Sequence, residues 1–426
     1  MSAEEYRLEH LPNGQRLVTE KLDHLRSVCL GFWIPAGSRD EPGPLEGATH
    51  FLEHLLFKGS SKYTAEEIAQ VFDTLGGELN ASTSREYVVV YGRFLDDQID
   101  VAMDVMADML ITPTFADLDR EREVILEEIA MVEDSPQDLI HDVLAEVVLD
   151  GHPLAHPILG TCQSIADASE EEIRGYHGQR FQFSDMVVAA AGNVSHEVVR
   201  DLLLARQPVS NGTQPKRAAA QPVMRPQRHF VEKETEQMHV CLGGIGLARD
   251  DSRRYQVSVL DSLFGGSLSS RLFQEIREKR GLVYSVYSFS SLYQETGLTG
   301  LYFGCRPERL EAVMETTVRE LQRLVSEPVP ADELQRAKEH LKGRLILGLE
   351  STSSRMTRLG KGVLTNTEIL SLDELADRIE AVTSEELLEL AAELYQPGML
   401  SVVGIGSDRS QFESVVPADC LAGLGS

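Results

Sequence analysis

"SVCLGFW" at residues 27–33 returns as "HVCLGGI" at 239–245, sharing Val-Cys-Leu-Gly at an offset of 212 in a chain of 426 residues. Self-similarity across half a chain marks a duplicated domain, so further matches should recur in the same order. The same offset pairs Tyr91-Gly92 with Phe303-Gly304, each closing a strand-like run ahead of an amphipathic helix. At an offset of 215, "SEE" at 169–171 meets "SEE" at 384–386; at 214, Phe181-Gln182 and Gly192 meet Tyr395-Gln396 and Gly406. Their collinear order reads as one fold written twice. Length agrees, since 426 residues exceed what one compact core holds.

Between the copies lies "QPVSNGTQPKRAAAQPVMRPQRH", 207–229, rich in Pro, Gln and Ala and without periodicity, a linker composition. The expected organisation is therefore a domain at 1–206, a linker at 207–229 and a second domain at 230–426. Each half opens with strands ("SVCLGFWI", then "EYVVVYGRFL", later "DMVVAAAG") with helices between and after them. In "TAEEIAQVFDTLGG", Thr64 and Glu67 form a capping box, Ile68, Val71, Phe72 and Leu75 share a face, and Gly76-Gly77 stop the helix. Strands and helices out of strict βαβ alternation predict an α+β class.

The charge balance is −28, from 68 acidic and 40 basic residues. Such a surface repels nucleic acid and anionic lipid, so neither is an expected partner. No apolar run reaches the roughly 18 residues of a membrane span. The N-terminus carries neither an apolar signal core nor an arginine-rich presequence. Five scattered cysteines form no CxxC and no disulfide framework, which fits a reducing cytoplasm.

The duplication also isolates what is not repeated. In "GATHFLEHLLFKG", 47–59, three polar residues interrupt an apolar run, and 212 residues on, His50, Glu53 and His54 fall on Ser262, Gly265 and Gly266. A feature needed for folding alone would recur in both copies. On a helix, His50 and His54 at i and i+4 point the same way, with Glu53 at the edge of that face. Buried polar groups without partners are costly, and a divalent ion shared by two imidazoles would supply one. The plainer alternative is a pair of hydrogen-bonded core histidines.

A hydrolytic zinc takes three protein ligands and keeps a water, so one further His or carboxylate is needed. In "DLDREREVILEEIAMVED", 117–134, Leu118, Ile125 and Val132 recur every seven residues, with Ile129 beside them. Glu121 and Glu128 occupy the remaining positions of that inward seam, whereas Glu123 and Glu127 point to solvent. Either Glu121 or Glu128 suits the third place, and spacing does not choose between them.

"HFLEH" followed some 75 residues later by "ERERE…E" resembles the inverted zincins of the pitrilysin family, M16, and most of all the mitochondrial processing peptidase type and its bacterial relatives. The likeness covers nearly the whole chain. It implies two tandem homologous αβ domains of the LuxS-like metallohydrolase fold, forming half of a clamshell. It also implies one zinc per chain held by His50, His54 and Glu128, with Glu121 as an accessory carboxylate behind the site. Glu53 would then be the base that takes a proton from the zinc-bound water, and the activity a zinc metalloendopeptidase acting on short or unfolded, basic peptides. Asn80 and Ala81 match the family's substrate-pairing edge. Arg277 and Tyr284 match its substrate-assisting Arg and Tyr, seven residues apart in "FGGSLSSRLFQEIREKRGLVYSVYS". No Lys-Ser/Thr follows those glycines, so the loop is not read as a phosphate cradle. Peptide substrates and a homodimer are the partners implied, because one chain holds both constellations. Relatives that serve as structural subunits of respiratory complexes supply the competing function, a non-catalytic assembly subunit. His152 and His156 have metal-like spacing, but Pro153 and Pro157 predict a loop.

Overall fold

A strand that is apolar on both sides must satisfy two packing layers at once, and Ser27–Ile34 is such a strand. The computed structural model describes residues 6–206, 214–217, 220–223 and 225–418. Linker positions 207–213, 218–219 and 224 lie outside the described residues, as does Cys420. The chain divides into two compact units.

Unit 1 draws on Met1–Ala130, His156–Ala218 and Leu347–Leu372. Its strands are β1 (Tyr6–His10), β2 (Arg16–Lys21), β3 (Ser27–Ile34), β4 (Glu78–Thr83), β5 (Val88–Leu95) and β6 (Val187–Gly192). They form one sheet in the order β1-β2-β6-β3-β5-β4, with β2 and β6 parallel and all other neighbours antiparallel. Strand residues alternate between faces. Val28, Leu30, Phe32 and Ile34 therefore meet helix α1 (Ala48–Leu56) in one core, while Cys29 and Trp33 meet Met356, Leu359 and Val363 in another. Those last three residues belong to the helix Thr352–Leu364. Two glycines let that helix lie against the strand. A Cβ on Gly31 would stand 2.4 Å from Met356 Sδ, and one on Gly360 would stand 2.0 Å from Trp33 Nε1. The indole N–H donates to Met356 Sδ at 3.3 Å.

Helix α2 (Ala65–Thr74) carries the expected capping box: Thr64 Oγ1 accepts from Glu67 N at 3.2 Å, and Glu67 accepts from Thr64 N at 2.8 Å. Ile68, Phe72 and Leu75 are buried, and Gly76 ends the run at φ 58°.

Unit 2 draws on Met131–Ala155, Ala219–Ile346 and Asp373–Ser426. Its strands are β7 (Arg228–Glu232), β8 (Met238–Gly246), β9 (Val283–Leu292), β10 (Gly297–Cys305) and β11 (Ser401–Gly406), in the order β7-β11-β8-β10-β9. Strand for strand this repeats β2-β6-β3-β5-β4, and β7 with β11 is again the parallel pair. Gly243 does in β8 what Gly31 does in β3. A Cβ there would stand 2.8 Å from Leu144 Cδ2 of the covering helix Pro136–Val148. The shared Val-Cys-Leu-Gly thus encodes a central strand with a helix pressed on one face. Each covering helix comes from the other half of the sequence.

Register corrects one of the sequence matches. Gly92 faces Leu30, but Gly304 faces His239 rather than Leu242, which lies 212 residues beyond Leu30. The β5 and β10 glycines are therefore not equivalent: β10 is displaced by three residues against its neighbour.

Candidate metal centre

Phe51, Leu52, Leu55 and Leu56 are fully buried against the sheet, which fixes the roll of α1 and aims its remaining edge. His50 and His54 lie side by side on that edge, ring centroids 4.7 Å apart. The facing helix, α3 (Leu118–Glu133), buries Leu118, Ile125 and Ile129; Val132, near its end, is half-buried. Glu121 and Glu128 emerge on the inward side, and Glu123 and Glu127 are exposed. Arg122 ties this helix down. It donates to the carbonyls of Ile165 and Ala168, and its guanidinium carbon lies 5.6 Å over the Phe51 ring.

The two carboxylates have different surroundings. Glu128 Oε2 is 3.6 Å from His50 Nε2 and 3.5 Å from His54 Nε2. Glu121 lies behind His54, with Oε2 3.2 Å from Nδ1 and Oε1 2.9 Å from Lys58 Nζ. A carboxylate at Nδ1 holds the proton there and leaves the Nε2 lone pair turned to Glu128.

Among the described residues, His50, His54 and Glu128 are the group whose ligand atoms, one from each, come within 4.8 Å of one another. A tetrahedral ion with bonds of about 2.0–2.1 Å sets its ligands about 3.3–3.4 Å apart, so the observed separations suit one. They are too long for hydrogen bonds. Nor is the His50 contact an ion pair at neutral pH, because burial, and then the nearby His54, push its pKa down to about 4. Lone pairs converging without a shared proton are costly in a protein interior unless a cation takes them up. The donor set, two imidazoles and a carboxylate, fits zinc.

Glu53 stands beside the three without joining them. Thr83 Oγ1, on β4, donates to its Oε2. Burial pushes the carboxyl up, and the Thr83 hydrogen bond and His54 pull it back. Lys58 and Thr83 were not singled out from sequence, though each carried a signal. Lys58 follows His54 by four residues, and Thr83 alternates with Leu79 and Ala81 on the half-buried side of β4.

Asn80 and Ala81 sit on β4, which among the described residues is an edge strand paired only with β5, opposite Tyr91 and Val90. Ala81 packs toward the core, while Asn80 is exposed with its Oδ1 accepting from Ala81 N at 2.8 Å. In unit 2, Arg277 lies in the last turn of a π-helical segment, Phe273–Glu278. Its guanidinium carbon lies 4.6 Å from the Phe273 ring centroid and 4.9 Å from that of Tyr284, a residue that is 78% exposed. The glycines upstream answer a packing need: a Cβ on Gly265 would stand 2.2 Å from Ser288 N. Pro153–Ala155 forms a 3-10 turn, so no continuous helix joins His152 to His156, and His152 Nδ1 accepts from Leu154 N at 3.1 Å.

A duplicated α+β chain with a two-histidine, one-carboxylate donor set in its first copy defines a class of two-domain metallohydrolase fold. Comparison with known proteins gives the family. Residues 16–162 match the insulinase model of peptidase family M16, and residues 167–341 match the model described as the peptidase M16 inactive domain. A Streptomyces coelicolor protein named an uncharacterized zinc protease is 42% identical over 94% of this chain and 89% of its own length. YmxG of Bacillus subtilis, also named an uncharacterized zinc protease, is 40% identical over 90% of this chain and 94% of its own. Among solved structures, a protease from Helicobacter pylori superposes with a TM-score of 0.87 at 22% identity, covering 94% of this chain and 99% of that one. The chain belongs to peptidase family M16. Among the described residues, no helix is long and apolar enough to cross a membrane.

Proposed function

We propose that the chain is a zinc-dependent endopeptidase of the cytoplasm that cleaves internal bonds of short or unfolded peptides. The observation that carries this is the convergence of His50 Nε2, His54 Nε2 and a Glu128 oxygen, with Glu53 alongside and outside the ligand set. The names of the relatives support zinc as the ion and peptides as the substrate. When bound, zinc polarises a scissile carbonyl and acidifies water.

The rest falls to this chain's own side chains. His50 turns its Nε2 to Glu128, and Glu121, itself paired to Lys58, orients His54 from behind and leaves its Nε2 unprotonated. Glu53, made more basic by burial, takes the proton of the attacking water and returns it to the leaving amine. An extended peptide adds to the free edge of β4 at Asn80 and Ala81, where Asn80 turns from Ala81 N to the peptide backbone. Arg277 and Tyr284 donate to the peptide and to the developing oxyanion. We assign them this role in a homodimer, with basic peptides preferred because the chain carries a charge of −28.

The test is zinc content together with cleavage of fluorogenic peptides, basic and acidic, before and after chelation. One zinc per chain, and activity lost with chelator and regained with zinc, is the expected result. A metal-free, inert protein would favour the assembly subunit instead. Arg277→Ala should slow turnover with zinc content unchanged, and wild-type behaviour across several peptides would remove that residue from the site. Mixing Glu53→Gln dimers with Arg277→Ala dimers should restore turnover if partner copies complete each other, and restoring none would break the homodimer assignment.

A further inference from the structure

Helix α1 begins without a cap of its own. Its N-cap residue is Gly47, which has no side chain to accept from the first-turn amides that every helix leaves unpaired. Glycine is needed there for two reasons. The backbone is left-handed at φ 88°, and a Cβ would stand 2.5 Å from the carbonyl oxygen of Leu159. The missing acceptor comes from Glu41, whose side chain is buried. Its Oε2 accepts from Gly47 N and its Oε1 from Thr49 N, both at 2.7 Å. A carboxylate at this end also suits the helix dipole.

The loop that carries Glu41 is itself fixed. Asp40 accepts from Gly37 N at 3.0 Å and from Arg217 at 2.8 and 2.6 Å, and Arg39 donates to Glu86 at 2.7 Å. Thr49 is gripped from its other side as well, its hydroxyl 2.9 Å from Tyr176 OH. His50 is the next residue, still within the first turn of α1. A shift of that turn moves His50 against His54 one turn later, and against Glu128 on the facing helix.

We propose that Glu41 is a positioning residue: its two backbone hydrogen bonds set the first turn of α1 and thereby the bite of His50 and His54 on the ion. This rests on the zinc reading above. Glutamine in its place keeps the size but turns an NH2 toward one of the two amides, so one bond is replaced by a donor–donor clash.

The experiment is zinc affinity, by competition with a chromophoric chelator, for wild type, Glu41→Gln and Val18→Ala. Val18 is buried on the opposite face of the sheet, so its truncation lowers stability without reaching α1. Glu41→Gln should bind zinc about tenfold more weakly, the scale of outer-shell losses at metal sites. Its kcat should fall and its KM stay within twofold, while Val18→Ala, melting lower, should keep wild-type zinc affinity. Should Glu41→Gln fail to fold, Glu41→Asp is measured in its place, because the shorter carboxylate reaches one amide, and a threefold weakening is expected. Unchanged affinity in the variant that folds, or an equal loss in Val18→Ala, overturns the inference alone. A wild type that binds no zinc overturns the zinc reading and this inference with it.

Discussion

The two sheets share strand order and a helix-bearing glycine, yet part at one point along the first helix behind the sheet. In unit 1 that helix runs on to Leu56, through His50, Glu53 and His54. In unit 2 the matching helix stops at Phe264, and Gly265 is held against Ser288 where a side chain would collide. The facing helices diverge in the same sense. Glu333, 212 residues after Glu121, keeps the carboxylate but spends it on Arg271, at 2.7 and 3.0 Å. His340, at the same offset from Glu128, is exposed. One copy thus uses its polar positions as a converging donor set, and the other has closed them into packing and an ion pair or turned them to solvent. Scaffold and chemistry are separable, since the fold is complete in the copy without the donor set.

That contrast can be broken in order of expected effect. His54→Ala should leave no zinc bound after desalting, whereas Ser262→Ala, at the position matching His50, should leave zinc content untouched. A zinc loss in both would contradict the assignment of the site to the first copy. Met356→Ala and Leu144→Ala each remove the side chain that a strand glycine admits, and each should cost about 2–5 kcal/mol in urea denaturation. A loss well under 1 kcal/mol at either would deny that the two covering helices do the same work. Lys58→Met should weaken zinc binding about 10-fold or more through Glu121 and His54. Arg271→Met should lower stability by about 1.5–3 kcal/mol, taking two charge-assisted hydrogen bonds from the half-buried Glu333, without changing zinc affinity. Equal effects of those two on zinc would erase the distinction drawn between Glu121 and Glu333. The smallest effect is expected of Thr83→Val. The lost hydroxyl had stabilised the Glu53 carboxylate, so its pKa rises further, the base protonates at higher pH, and the acidic limb of the pH–rate profile moves up. A limb that stays put would remove Thr83 from the tuning of the base.

Local periodicity made much of this legible. The i, i+4 histidines, the capping box on Thr64 and the inward placing of Glu121 and Glu128 follow from helix geometry and need no tertiary knowledge. The duplication too could be read from short matches in collinear order, the clearest on Val-Cys-Leu-Gly, because a buried central strand with a helix on its face leaves little freedom at Cys29-Leu30-Gly31. What stayed out of reach depends on contacts distant in sequence. Glu121 and Glu128 share a helix face, so only the depth of α1 against that helix separates the one at Nδ1 from the one at Nε2. Which sheet the helices Pro136–Val148 and Thr352–Leu364 cover is decided by Gly243 and Gly31 meeting Leu144 and Met356. The register slip between β5 and β10 left no trace, since sliding a glycine by three residues preserves the look of a strand.

Glu53→Gln separates holding the ion from using it. Zinc per chain, by metal analysis of the purified variant, should stay at one while peptide turnover falls by about 10²–10⁴, the usual worth of a positioned base. Zinc lost as completely as in His54→Ala, or turnover kept near wild type, would contradict the division of labour between the three donors and the carboxylate beside them.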